Sequence, residues 1–143
     1  MTKRRVLFLC TGNSARSQMA EALVNALLGG DWAAFSAGTQ PARQVNPLAV
    51  RALAEIGIVH QGTPKSIDRF RNEPFDLVIT LCDDAAQNCP VWLGQGKRMH
   101  IGFPDPAEAA GSDEDKMAIF RSVRDDIQLR ILPVLVEFRN CSG

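Results

Sequence analysis

The run Cys10-Thr11-Gly12-Asn13-Ser14-Ala15-Arg16 lies directly between the apolar run Val6-Leu7-Phe8-Leu9 and a stretch of helical spacing from Ser17 to Leu28. A buried strand that stops at a small-residue loop and turns into a helix aims a row of backbone N–H groups at one spot. A thiol opens this loop and a guanidinium closes it. Arg offers a planar fork that matches two oxygens of a tetrahedral anion at once. Gly12 and Asn13 tolerate positive φ, and Ser14 and Ser17 add hydroxyl donors. Thr11, Gly12, Asn13, Ser14, Ala15, Arg16 and Ser17 are therefore the expected oxyanion-binding residues, and Cys10 is the expected nucleophile. A bare Cys-x5-Arg would also fit a structural thiol and a solvated Arg; the strand–loop–helix context favours the anion site.

The rest of the chain reads as alternating strands and helices. Trp32 to Ala37 is a second strand closed by Gly38. Asn46-Pro47 starts a second helix, with Asn as cap and Pro at the first position, and Gly57 stops it. A helical turn is expected near Ser66 to Phe70, a third strand from Phe75 to Leu81 and a fourth from Lys97 to Gly102. Ser112 and Asp115 form a capping box for a last helix, which Pro133 should kink or tighten. This order predicts an α/β fold: a single domain over residues 1–143, built on a parallel four-stranded sheet with helices on both faces. Ligands bind beyond the carboxyl ends of the strands in such sheets, where Cys10, Cys82 and Asp105 all fall.

Sixteen basic and sixteen acidic side chains cancel, so charge gives no support to a nucleic-acid or membrane-surface role. The basic residues Lys3, Arg4 and Arg5 precede an apolar run too short for an export signal, which points to the cytoplasm. Stable disulfides are rare there, so the four cysteines, Cys10, Cys82, Cys89 and Cys141, read as chemistry more than as staples. Cys141 is expected in a fraying tail, with no role. Cys82 and Cys89 admit three readings: separate core thiols, metal ligands short of partners, or a redox relay with Cys10 through a polar, movable loop. Asp105, between Pro104 and Pro106, can protonate a leaving oxygen. His60 and His100 stand alone and read as structural.

These residues resemble the low-molecular-weight tyrosine phosphatases, and more closely the thioredoxin-coupled arsenate reductases built on that fold. The matching motifs are Cys10 to Glu21, Ser36-Ala37-Gly38, Val45-Asn46-Pro47, Thr80-Leu81-Cys82, Asn88-Cys89-Pro90 and Asp105-Pro106. The loop motif is common to both groups, and the Cys82/Cys89 pair is specific to the reductases. Ala107 and Glu108 follow Asp105-Pro106 where the phosphatases place aromatic residues, and the chain has no Tyr. The resemblance implies arsenate as substrate, with phosphate or sulfate as competing anions. It also implies catalysis by Cys10, Arg16 and Asp105, a Cys10–Cys82–Cys89 relay, thioredoxin as reductant and no bound cofactor. The alternatives are a phosphate monoester hydrolase and a non-catalytic oxyanion-binding redox module. Some relatives hold a potassium ion near the loop. The matching positions here are Asn13, Glu21, Ser36, Thr63 and Lys65, with Lys65 in place of an acidic ligand, so its ammonium is expected to stand in for the metal.

Overall fold

The computed structural model describes residues 3–87 and 97–141, with the side chains of 84 and 139–141 outside the description. Strands β1 (Arg4–Cys10), β2 (Trp32–Gly38), β3 (Leu77–Thr80) and β4 (Lys97–His100) form one sheet in the order β2-β1-β3-β4. Every pairing is parallel. β1 is central, and its side chains divide by parity. Val6, Phe8 and Cys10 face one core cluster, while Leu7 and Leu9 face a second. Val6 to Leu9 are fully buried, as an unbroken apolar run between two covered faces requires. Each buried Leu or Phe in such a strand stabilises the fold by about 1.5–3 kcal/mol before entropy is counted.

The two faces are covered unequally. Helices α1 (Arg16–Leu27), α2 (Pro47–Ala54) and α4 (Asp113–Cys141) pack on the Val6–Phe8 face. The Leu7–Leu9 face is closed by a 3-10 turn at Ile67–Phe70 and by the short α3 (Asp83–Gln87). There Phe35, Phe70 and Phe75 stack edge to face, with centroids 5.7–5.9 Å apart.

Local signals act largely as expected. Asn46 caps α2 by accepting from Leu48 N–H at 2.9 Å, and Gly57 beyond it has φ +84°. Ser112 and Asp115 bond reciprocally at the start of α4. Several expectations need correction. β3 and β4 are shorter than Phe75 to Leu81 and Lys97 to Gly102; at the start of β3, Phe75 packs in the aromatic trio instead. Residues 83–87, expected as loop, form α3; Ala86 N–H bonds back to Cys82 C=O, and Ala85 and Ala86 favour helix. α4 runs through Pro133 to Cys141, where a frayed tail was expected. Phe138 holds its last turns against Trp32 at 5.6 Å. The carbonyl that Pro133 leaves unbonded belongs to exposed Leu129, so solvent can satisfy it.

The register sets Cys10 beside Gly38, and Leu9 beside Thr80, which lies beside His100. Cys10, Cys82 and Asp105 thus share one edge of the sheet.

Candidate active site

The loop from Cys10 to Ala15 is shaped by where its carbonyls go. Those of Cys10, Thr11 and Gly12 accept from Thr39, Gln40 and Ala42; that of Ser14 accepts from Asn46 and that of Ala15 from Met19. The Asn13 carbonyl accepts from Gln18 Nε2 at 3.1 Å. In a trans peptide the N–H of the next residue points opposite to the C=O. Six carbonyls turned outward therefore turn the N–H groups of residues 11–16 inward. The loop encloses a pocket of about 510 Å³ lined by Cys10, Thr11, Gly12, Ser14, Ala15 and Arg16, with Asp105, Ala107 and Glu108 across its mouth. Inward amides at the start of α1 give this pocket a geometry that favours an anion.

Cys10 lies at the floor, 2% exposed. Arg16 is buried at the side, donating to Phe103 C=O at 3.1 Å, with its other arm 3.7 Å from Asp105 Oδ2. Asp105 Oδ1 accepts from Ala107 N–H at 3.0 Å, so Oδ2 is the oxygen left facing the pocket. Cys82 stands at the rim, its Sγ 3.3 Å from Thr11 Oγ1 and 3.4 Å from Ala85 N. Cys89 lies outside the described residues.

Asn13 adopts φ +52°, the left-handed conformation Asn tolerates. Gly12, the other residue read as tolerating it, is absent from the positive-φ positions; a Cβ there would meet nothing closer than 3.8 Å. Gly38 is the glycine the loop needs. A Cβ on it would lie 2.5 Å from Thr11 O and 3.0 Å from Asn13 N.

Behind the loop runs a hydrogen-bond chain whose direction is fixed by backbone groups. Lys65 N–H, which can only donate, lies 2.9 Å from Asn13 Oδ1. Asn13 Nδ2 therefore faces Ser17 Oγ, at 2.7 Å. Ser17 Oγ lies 2.8 Å from Cys10 Sγ; toward a thiolate, which can only accept, the hydroxyl donates.

Glu21, Ser36, Thr63 and Lys65 gather beside the same chain. Ser36 Oγ donates to Glu21 Oε1 at 2.8 Å, Lys65 Nζ donates to Thr63 C=O at 3.0 Å, and Nζ is 4.0 Å from Glu21 Oε1. An ammonium already sits against the carboxylate that a bound cation would need. Among the described residues, no group of three or more His, Cys, Asp or Glu is placed to hold a metal ion. His100 bonds Thr80 Oγ1 at 2.8 Å and lies 3.3 Å from Asp83, behind α3 and away from the pocket lining. Sequence reasoning passed over Gln18 and Phe103. Gln18, a polar side chain fully buried on α1, carries a signal in its place between Ser17 and Met19. Phe103 contributes a carbonyl, which no sequence pattern marks.

The sequence profile of the low molecular weight phosphotyrosine protein phosphatases matches residues 5–138. The chain belongs to that family. Within it, the chain is 50% identical to the arsenate reductase of Halalkalibacterium halodurans over 132 residues, 92% of this chain and 94% of that protein. It is 47% identical to the arsenate reductase of Bacillus subtilis over the same shares. A solved arsenate reductase in its phosphate binding state superposes with a TM-score of 0.80 at 31% identity, covering 94% of this chain and 98% of the other. An arginine phosphatase from Geobacillus stearothermophilus shares the fold at a TM-score of 0.77 and 20% identity. No helix among the described residues is long and apolar enough to cross a membrane.

Proposed function

We propose that this protein reduces arsenate to arsenite by a thiol relay recycled by thioredoxin in the cytoplasm. One observation carries the reading beyond its relatives' names: a second thiol, Cys82, stands on the rim of the Cys10 loop, 3.3 Å from Thr11 Oγ1. Hydrolysis of a phosphate ester uses only Cys10, Arg16 and Asp105, and there Cys82 would serve only to protect Cys10 from oxidation.

The inward amides and Arg16 hold the tetrahedral anion; phosphate and sulfate compete because they share its shape and charge. Cys10 thiolate attacks arsenic, and an oxygen leaves as water after protonation by Asp105. Cys82 thiolate then attacks Cys10 Sγ. The sulfur–arsenic bond breaks, its electron pair stays on arsenic, and arsenite departs from a Cys10–Cys82 disulfide. Cys89 attacks Cys82 Sγ and Cys10 leaves as thiolate. A reduced dithiol protein, thioredoxin, returns two electrons to the Cys82–Cys89 disulfide. Ala107 and Glu108 at the pocket mouth give no aromatic wall on which an aryl ring could pack, which favours a small inorganic anion. The Lys65 ammonium serves in place of a bound potassium ion.

A second reading, phosphate monoester hydrolysis, is favoured by the same Cys10, Arg16 and Asp105 around one pocket. The test is arsenite production with thioredoxin, thioredoxin reductase and NADPH. Sustained turnover is expected from the parent and none from Cys10→Ser or Cys82→Ser. Slow aryl phosphate hydrolysis should persist in Cys82→Ser and vanish in Cys10→Ser. Aryl phosphate turnover in the parent without arsenite production would favour the second reading.

A further inference from the structure

The hydrogen-bond chain behind Cys10 does not end at Asn13. Gln18 Nε2 lies 3.1 Å from Asn13 Oδ1, 3.1 Å from Asn13 O and 3.2 Å from Thr63 O. Two of these are backbone carbonyls, which can only accept, so the NH2 end of the Gln18 amide must face them. Its Oε1 then faces outward, 2.6 Å from His60 Nε2. An amide oxygen only accepts, so His60 must carry its proton on Nε2 and donate. The chain thus reads His60 Nε2–H to Gln18 Oε1, the two Gln18 Nε2 hydrogens shared among Asn13 Oδ1, Asn13 O and Thr63 O, Asn13 Nδ2–H to Ser17 Oγ and, with Cys10 as thiolate, Ser17 O–H to Cys10 Sγ. Backbone groups fix the Gln18 and Asn13 amides in this direction, and His60 adds its hydrogen bond at the outer end.

We infer that His60 is a positioning residue for Cys10, acting through Gln18, Asn13 and Ser17 to hold the Ser17 hydroxyl hydrogen on the nucleophilic sulfur. The inference deepens the proposed function, since it concerns the same nucleophile. An independent feature of the chain supports it. A Cβ at Gly62 would lie 2.6 Å from Gln18 Oε1 and 2.7 Å from His60 Nε2, so the backbone there is kept bare where the two side chains meet. Burial lowers the His60 pKa below its ordinary 6.5; Lys65 lowers it further and Glu21 opposes. These are the charged groups facing it from its own loop and from α1. At neutral pH the imidazole is therefore uncharged, and the Gln18 contact selects the tautomer with its hydrogen on Nε2. A chain of this kind polarises along its length and stabilises charge at its end.

The test reads Cys10 directly and does not depend on the reaction catalysed. The folded protein is alkylated with iodoacetamide across a range of pH, and modification of the Cys10 peptide is followed by mass spectrometry. In His60→Leu, alkylation at neutral pH should be about fivefold slower, the scale of one ordinary hydrogen bond lost at the far end of the chain. Parent and variant should converge at high pH, where the thiol is ionised in both. Gly62→Ala, which keeps His60 but crowds its contact with Gln18, should move the profile the same way and serves where His60→Leu folds poorly. Superimposable profiles would overturn the inference, as would a slowing by the same factor at every pH, which means altered access. Failure of arsenate reduction with a shifted alkylation profile would count against the proposed function alone.

Discussion

Asn13 shows how much chemistry one residue can organise. Its backbone takes the left-handed turn at φ +52°. Its side chain receives Lys65 N–H and Gln18, and donates to Ser17. The turn is legible in the sequence, since Asn tolerates that conformation beside Gly12. The side-chain partners are not, because Gln18 and His60 meet across 42 positions of chain and no local pattern records that. Lys65 lies between these cases: its departure from the related pattern is visible in the sequence, while its 4.0 Å approach to Glu21 needs the fold. A cation fixed covalently needs no binding equilibrium. Arsenate reduction in potassium and in a bulky inert cation at matched ionic strength should therefore run at equal rates in the parent, and Lys65→Asp should gain dependence on potassium. Strong potassium activation of the parent would contradict this role for Lys65.

At the scale of elements, the end of β2 and the Cys10 loop are pressed together without room for a side chain. Gly38→Ala would set a Cβ 2.5 Å from Thr11 O, a backbone atom that cannot swing away. The substitution should cost about 1–3 kcal/mol of stability, as overpacking does, measured by denaturant unfolding, with a larger proportional loss of arsenate binding. Unchanged stability would mean that the loop is freer than its carbonyl bonds suggest. α2 and α4 are tied by Arg121, whose Nε and Nη2 grip the Glu55 carboxylate at 2.8 Å each. The Arg121 hydrogen bond, against opposing burial and with further help from Arg124, holds the Glu55 carboxyl below its ordinary 4.5. A lowered carboxylate pKa adds stability above the unfolded value, and that stability is lost as pH falls through the folded value. Thermal unfolding of the parent should thus lose a small increment below about pH 4.5 that Glu55→Gln does not lose; parallel curves would contradict the tie. Caps and breakers, Asn46, Gly57 and Ser112, mark their elements in the sequence because their chemistry is local. The start of β3 and the existence of α3 are not marked, since packing of Phe75 and the Cys82–Ala86 bond decide them.

At the scale of the whole molecule, the parallel sheet delivers Cys10, Cys82 and Asp105 to one edge from three separate strand ends, and this much follows from alternation of strands and helices alone. What alternation does not supply is the unequal covering of the two faces. Three helices of eight residues or more pack on one, while a 3-10 turn and the five-residue α3 close the other. Cys82 is half-buried just before α3, where both core clusters meet, and α3 itself is a short helix on the thinly covered side. A relay that must bring one thiol first to Cys10 and then to Cys89 needs its moving part there. The relay is tested most directly by giving Cys89→Ser a stoichiometric amount of arsenate, quenching, and mapping linked peptides. The account expects a single turnover that releases arsenite and leaves the protein stalled with Cys10 joined to Cys82. Continued thioredoxin-coupled turnover by this variant, or arsenite release with Cys82 still a free thiol, would contradict it.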